Sequence, residues 1–353
     1  MRPALAAALS TALAAVFLAP VAAGAEPLPP APPGCLPAPD ATGLVCTFDV
    51  PPGDYELRLA LGSRTAAADT GVQVEARRVA LAPVATAAGE VAVRSVTVDV
   101  RTPESMPDGQ EGAGTSGLQI YLTGDSPALA GIQVLPLPHT PRLFVVSDST
   151  AADWLFGPKR GWAQALPQDF RAGISVANWA VSGSSTVSWL ADSALFATLA
   201  PLIRPDDEVL IQLAHNDKTT TEADYRANLT ALVDGVRARG GLAVLVTPPV
   251  RHLFAADGTI TPTGRVVNNL GVDLPAVMRD VAAELGAPLL DLTADSQALM
   301  ERLGPTDSWQ LYVGTQAVPT DATHFNPYGS AVIAGLVADE IAAAHLPAAG
   351  FLR

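Results

Sequence analysis

The sequence predicts an α/β protein in two parts: an all-β sandwich, then an open parallel sheet with helices on both faces. Three observations carry that expectation. The 353 residues exceed one ordinary small domain and suit two. Between residues 44 and 137 apolar positions alternate with period two, as half-buried strands require. After Arg142, short and wholly apolar runs alternate with helical stretches, the pattern of parallel strands buried on both faces.

The composition is that of a folded chain, with 49% hydrophobic and 16% charged residues. Lys and Arg total 21 against 35 Asp and Glu, a formal charge of -14. Such a chain is poorly suited to nucleic acid or to an anionic membrane surface, both of which select for cations.

Taken in order, Arg2, an apolar run over residues 4–22 and Ala23-Gly24-Ala25 read as a secretory signal peptide spanning 1–25. The run is long enough to span a bilayer, but its Ala-rich make-up, Pro20 and small-residue end favour cleavage and a secreted or periplasmic product. Residues 26–43 form a Pro-rich lead-in. Cys35 and Cys46 lie close together beyond the cleavage site and are expected to pair as a disulfide.

The expected sandwich covers 44–137. Its alternating runs are Tyr55 to Leu61, Val72 to Ala76, Ser95 to Val100, Leu118 to Leu122 and Ile132 to Leu135, divided by Gly, Asp and Pro clusters. Pro138 and Pro141 stiffen a linker over 138–142. The second part covers 143–350. Its strands are expected at Leu143–Val146, Ile174–Ala177, Val209–Leu213, Leu242–Val246 and Pro288–Leu290. Helices are expected at Trp189–Leu202, Ala223–Arg239, Leu274–Leu285 and Asn326–Ala343. In such sheets chemistry gathers beyond the carboxyl ends of the strands.

Four segments fall at those ends: Ser147-Asp148-Ser149-Thr150, Asn178 to Ser185, Ala214-His215-Asn216-Asp217, and Asp321-Ala322-Thr323-His324 before the last helix. Ester hydrolysis needs a nucleophile, a base, an orienter for the base and donors for an oxyanion. Ser149, His324, Asp321, Gly183 and Asn216 could fill those needs. Taken singly, each is equally a turn or cap residue. Placed in order along one rim, they form a pattern.

With their flanks, these segments resemble the SGNH (GDSL-like) hydrolase superfamily, and within it the rhamnogalacturonan acetylesterase branch. Ser147 to Thr150 is similar to the family's GDST block, and Arg160-Gly161-Trp162-Ala163-Gln164 to its GWGQ segment. Asn178-x-Ala180-x-x-Gly183, His215-Asn216-Asp217, Thr247-Pro248-Pro249-Val250-Arg251 and Asp321-x-Thr323-His324 complete the set. The resemblance implies a flavodoxin-like sheet, with Ser149 as nucleophile, His324 as base and Asp321 as its orienter. It implies an oxyanion hole from the N–H groups of Ser149 and Gly183 and the Asn216 amide. It also implies a galactose-binding-like sandwich, and no cofactor or metal. HExxH, CxxC, P-loop and GxSxG signatures are all missing.

Three positions depart from the family. Ser147 and Ala214 stand where glycine is usual, which requires negative φ at both, and Ser184 replaces a frequent arginine. Arg251, His252 and Trp179 are candidates to touch substrate, and His215 is expected to buttress Asn216. The reading is a secreted carbohydrate esterase that removes O-acetyl groups from plant cell-wall polysaccharide. It is expected to act as a monomer on acetylated poly- or oligosaccharide, with no nucleic-acid or membrane partner. A lipase, arylesterase or thioesterase with the same triad remains an alternative, as does an inactive glycan-binding protein. Small polar residues around Ser149 favour a short acyl group.

Overall fold

The computed structural model describes residues 35–37, 43–101 and 117–353. The expected signal peptide and most of the Pro-rich lead-in lie outside the described residues. So does the 102–116 segment of the expected sandwich.

The first part is built from β1 (Cys35–Pro37), β2 (Leu44–Phe48), β3 (Gly53–Gly62), β4 (Ala68–Val74), β5 (Arg78–Thr86), β6 (Val91–Val100), β7 (Leu118–Ser126) and β8 (Leu129–Pro136). They pair into two sheets, β1-β2-β7-β4-β5 and β6-β3-β8, with antiparallel neighbours throughout. Period-two alternation sends Leu57, Leu59 and Leu61 of β3 into the core between the sheets, where they meet Val72, Val98, Ile120 and Leu122. Cys35 and Cys46 face each other across β1 and β2 and are disulfide-bonded.

The second part contains β9 (Arg142–Ser147), α1 (Trp162–Ala165), β10 (Ser175–Asn178), α2 (Thr186–Ala191), α3 (Phe196–Leu199), β11 (Glu208–Gln212), α4 (Glu222–Arg237), β12 (Leu242–Val246), α5 (Leu274–Leu285), β13 (Leu289–Leu290), α6 (Leu292–Asp307) and α7 (Pro327–Ala343). The five strands are parallel in the order β10-β9-β11-β12-β13. Each strand feeds both faces, which is why it reads as a continuous apolar run. Leu143, Val145, Val244 and Val246 pack toward α1, α6 and α7. Phe144, Val146, Ala243 and Leu245 pack toward α2, α4 and α5. The chain order reverses between β9 and β11, so their carboxyl ends flank the switch point where such sheets open a crevice.

Several elements differ from the sequence expectation: β1, which falls in the expected lead-in, β2 and α1 were not expected. The stretch Trp189 to Leu202 is not one helix but α2, α3 and a terminal 3₁₀ turn. The Asp192 side chain accepts from Ala194 N at 2.8 Å and interrupts the helix. Strand β5 was not expected, because Pro83 and two register shifts against β4 break its alternation. Helix α6 was not expected either, and it is kinked at Gly304 before Pro305.

The two parts meet along β10, an edge strand of the parallel sheet. Arg78 and Arg101 of the sandwich donate to the carbonyls of Val176 and Asn178, giving partners to edge groups that would otherwise be buried bare. Arg101 Nε lies 2.9 Å from Asp99 Oδ2, an ion pair without hydrogen-bond alignment. Arg78 lies 3.5 Å from Asp99 and 3.7 Å from Asp153. The turn between β4 and β5 is tight, with Glu75 and Arg77 at φ 55° and 57°. At its tip the Ala76 carbonyl accepts from Gln164 Nε2 at 2.7 Å.

Candidate active site

Strand β9 ends at Ser147, and the chain turns at once. Ala151 N and Ala152 N both donate to the Asp148 carbonyl, which puts Ser149 at the top of the sheet. Gly161 packs behind this turn, where a Cβ would stand 2.1 Å from the Ala151 carbonyl carbon. The Asp148 carboxylate is fully buried and accepts from Thr150 N, Thr150 Oγ1 and His215 Nδ1. Burial alone would raise its pKa, but the His215 charge and these hydrogen bonds hold it below the ordinary value.

Ser149 is 8% exposed, and its Oγ lies 2.9 Å from His324 Nε2. His324 Nδ1 lies 2.8 Å from Asp321 Oδ2. Asp321 Oδ1 also accepts from the N–H groups of Thr323 and His324, so the short loop fixes the carboxylate before it orients the ring. Against the effect of burial, those bonds keep the Asp321 pKa below its ordinary value. Burial lowers the His324 pKa below 6.5, with the Asp321 contacts opposing it. The imidazole is therefore neutral at neutral pH, as a general base must be.

No acceptor among the described residues takes the N–H of Ser149 or of Gly183. Gly183 sits at φ 80°, a left-handed turn that glycine adopts without strain, and a Cβ there would meet open space. Asn216 Nδ2 donates to the Ser184 carbonyl at 2.9 Å, which ties the turn after β11 to the turn after β10. A cavity of about 320 Å³ brings Ser149, Asn216, Asp321 and His324 together. Gly183 is not among its lining residues. The arrangement has the parts that ester hydrolysis by a hydroxyl requires: the hydroxyl, an imidazole in reach of it, a carboxylate behind the imidazole, and unused N–H donors beside them.

The family model for GDSL-like lipase/acylhydrolases matches residues 148–332, just over half the chain. The chain belongs to the GDSL-like lipase/acylhydrolase family. Among curated proteins it is similar to rhamnogalacturonan acetylesterase RhgT of Bacillus subtilis, at 34% identity over 58% of this chain and 91% of that protein. It is also similar to the probable rhamnogalacturonan acetylesterase YesY of the same organism, at 27% identity over 58% of this chain and 94% of YesY. Among solved structures, protein YxiM of B. subtilis shares the fold over 87% of this chain and 81% of its own, with TM-score 0.55 and 22% identity.

In this GDSL-like hydrolase the two glycine departures are absorbed locally. Neither Ser147 nor Ala214 has positive φ, and Ser147 Oγ donates to Gln212 Oε1 at 3.1 Å. Ser184 Oγ donates to the Val181 carbonyl at 2.8 Å and accepts from Trp189 Nε1, so it locks the Gly183 turn from inside.

Two candidate substrate contacts lie elsewhere. Trp179 is 1% exposed and packs under the Arg101 guanidinium at 4.9 Å, facing the sandwich rather than the crevice. His252 is stacked on Trp309 at 3.7 Å, with Nε2 bonded to Ser308 Oγ. Its backbone N–H donates to the Ala322 carbonyl and so supports the Asp321–His324 loop. His215 does not buttress the Asn216 side chain; its ring nitrogens face Asp148 and the Pro249 carbonyl. Of the three candidates, Arg251 alone lines the cavity.

Other residues at the site went unassigned from sequence. Trp154 packs edge-on against His324 with ring centroids 5.7 Å apart, and its Nε1 donates to the Ser149 carbonyl. Gln164, visible in the GWGQ-like segment but given no role, holds Trp154 through both its N–H and its carbonyl. Lys159 lies over the Trp154 ring and 4.0 Å from Asp321, while Lys218 lines the cavity. These are the only two lysines in the chain, a rarity that a simple count would have flagged.

Proposed function

We propose that the protein is a secreted carbohydrate acetylesterase that removes O-acetyl groups from plant cell-wall polysaccharide of the rhamnogalacturonan type. The observation that carries the reading is the 2.9 Å contact between Ser149 Oγ and His324 Nε2 on the floor of an open polar cavity. Among the described residues Ala322 is the only apolar side chain lining that cavity, which suits an acetyl group and gives a long acyl chain nothing to pack against. The likeness to rhamnogalacturonan acetylesterase RhgT and to the probable rhamnogalacturonan acetylesterase YesY supports the substrate class.

Ser149 Oγ attacks the acetyl carbonyl carbon as His324 Nε2 takes its proton. Asp321 holds the Nδ1 proton and stabilises the imidazolium that forms. The oxyanion is received by the N–H of Ser149, the N–H of Gly183 and the Asn216 amide. Collapse of the intermediate expels the sugar oxygen, which takes the proton from His324. Water, deprotonated by the same nitrogen, then attacks the acetyl-Ser149 ester; acetate leaves and the Ser149 hydroxyl is restored.

The test is acetate release from acetylated rhamnogalacturonan and acetylated xylan, and nitrophenol release from a long-chain nitrophenyl ester, by wild-type protein and Ser149→Ala. Release from a polysaccharide, abolished by the substitution, is the expected result. Preference for the long-chain ester, or equal negligible release by both proteins, would overturn the reading.

A further inference from the structure

We propose that Lys218 and Arg251 form a carboxylate subsite beside the acyl site, so that the saccharide bound there carries a uronate residue next to the acetylated sugar. The proposal rests on the esterase reading of Ser149 and assigns the residues that select the acidic substrate. In a chain of charge -14 with two lysines in all, both lysines stand at the crevice. Lys159 is committed, with Asp321 at 4.0 Å and the Trp154 ring beneath it.

Lys218 and Arg251 are not. Lys218 is exposed and makes no ion pair among the described residues. Arg251 is half-buried; one Nη donates to the His215 carbonyl at 3.0 Å, and its buried Nε has no hydrogen-bond partner. Some surface cations elsewhere are paired within the chain. Arg226 lies within reach of Glu222, Asp280 and Glu284, and Arg279 forks onto Asp291. Lys218 and Arg251 form no ion pair with a carboxylate among the described residues, and they stand together on the wall of the cavity that holds Ser149, where an external carboxylate can reach both.

The space around them has the right extent. Beside the cavity at Ser149 lies a second, of about 190 Å³, and the two share His215, Lys218 and Arg251 as common wall. A saccharide reaching from Ser149 into the second cavity must pass both cations. The far wall is rigid: Asn268 donates to the carbonyls of Asp217 and Thr220 and accepts from the N–H groups of Leu270 and Val272. Asn269 N donates to the Lys218 carbonyl at 2.9 Å, fixing that residue's backbone at the boundary. Val266 lines the same cavity at φ 63°, a conformation that costs a β-branched residue energy and that folds retain chiefly where a site requires it.

The test separates binding from hydrolysis. Calorimetry on Ser149→Ala compares a de-esterified galacturonate-containing oligosaccharide with a neutral xylo-oligosaccharide of equal length. The same pair is then titrated into Ser149→Ala carrying Lys218→Gln, Lys218→Arg or Arg251→Gln. The acidic ligand should bind at least about tenfold tighter than the neutral one, and the acidic-to-neutral ratio should fall about tenfold with either Gln substitution. Lys218→Arg should restore most of it, and salt should weaken the acidic ligand more steeply when both cations are present. Equal affinity for the two ligands, or a ratio unmoved by the Gln substitutions, would overturn the subsite. Acetate release by wild-type protein is measured in parallel. Release without charge preference leaves the esterase and removes the subsite; charge-dependent binding without release from any ester does the reverse.

Discussion

The molecule gathers charge in two places, and it treats them in opposite ways. At the seam between sandwich and parallel sheet, Arg78, Arg101, Asp99 and Asp153 are all under a tenth exposed and answer one another. At the rim, His324, Asp321 and Arg251 are partly open and Lys218 is exposed, and the last two form no ion pair among the described residues. Burying ions costs solvation that only close partners return, so the seam holds its ions within ion-pair reach of one another, even where the hydrogen-bond alignment is missing. At the rim, a cation without a paired carboxylate is what the proposed subsite offers an acidic substrate. The same side chains thus serve structure or chemistry according to whether their partners come from the chain or from outside.

The contrast predicts effects of different kind and size. Largest is His324→Ala at the rim, which should cut turnover by about 10⁴-fold or more while the melting temperature scarcely moves, as acetate assays and calorimetry would read. Substantial activity in that variant would remove His324 from the mechanism. At the seam, Arg78→Leu should destabilise by about 3–5 kcal/mol, because Asp99 and Asp153 stay buried without it. Denaturant unfolding measures this, and a loss below about 1 kcal/mol would mean that water enters the seam. Asn216→Ala should cost about 100 to 1,000-fold in kcat, with stability largely retained.

Glu75 offers a subtler test. It neighbours Arg78, Asp99 and Arg101, and burial pushes its pKa up to about 7, against the pull of Arg78 and the Gln119 N–H. The folded state thus holds a proton that the unfolded chain releases near 4.5. The associated stability is complete below that lower value and is lost as pH rises through about 7. Glu75→Gln should therefore melt higher than wild type at pH 8 and equally at pH 4. Smallest is the acid limb of kcat/KM. With the His324 pKa lowered, activity should persist below pH 6.5 before protonation removes the base; a limb above that value would contradict the burial argument.

Much of this was legible in the sequence, for local reasons. Helix α5 runs over the expected Leu274–Leu285 because Asp273 caps it by accepting from Ala276 N and Gly286 closes it at φ 56°. Strand β12 is the expected Leu242–Val246, an apolar run with no competing period. The rim was readable because strand ends in an open sheet point to one crevice, so order along the chain stood in for proximity. The seam was not. Arg78 and Arg101 sit in or beside strands, where a charge reads as solvent-facing, and Asp153 lies over fifty residues away. Trp179 misled for the same reason, since an aromatic after a strand end reads as crevice wall unless the covering Arg101 is known.

The tip of the β4–β5 hairpin reaches further than its own sheet. Ala76 anchors Gln164, Gln164 holds Trp154, and Trp154 touches both the Ser149 carbonyl and the His324 ring. A module hung on a tether can be cut away, shuffled or replaced without the enzyme noticing. This one is a keystone, resting through Trp154 on Ser149 and His324. Heat inactivation should accordingly report the loosening of the amino-terminal sheets before the parallel sheet itself gives way. Recombination with the hydrolase half of a relative would then need the hairpin and the Gln164 segment to travel together.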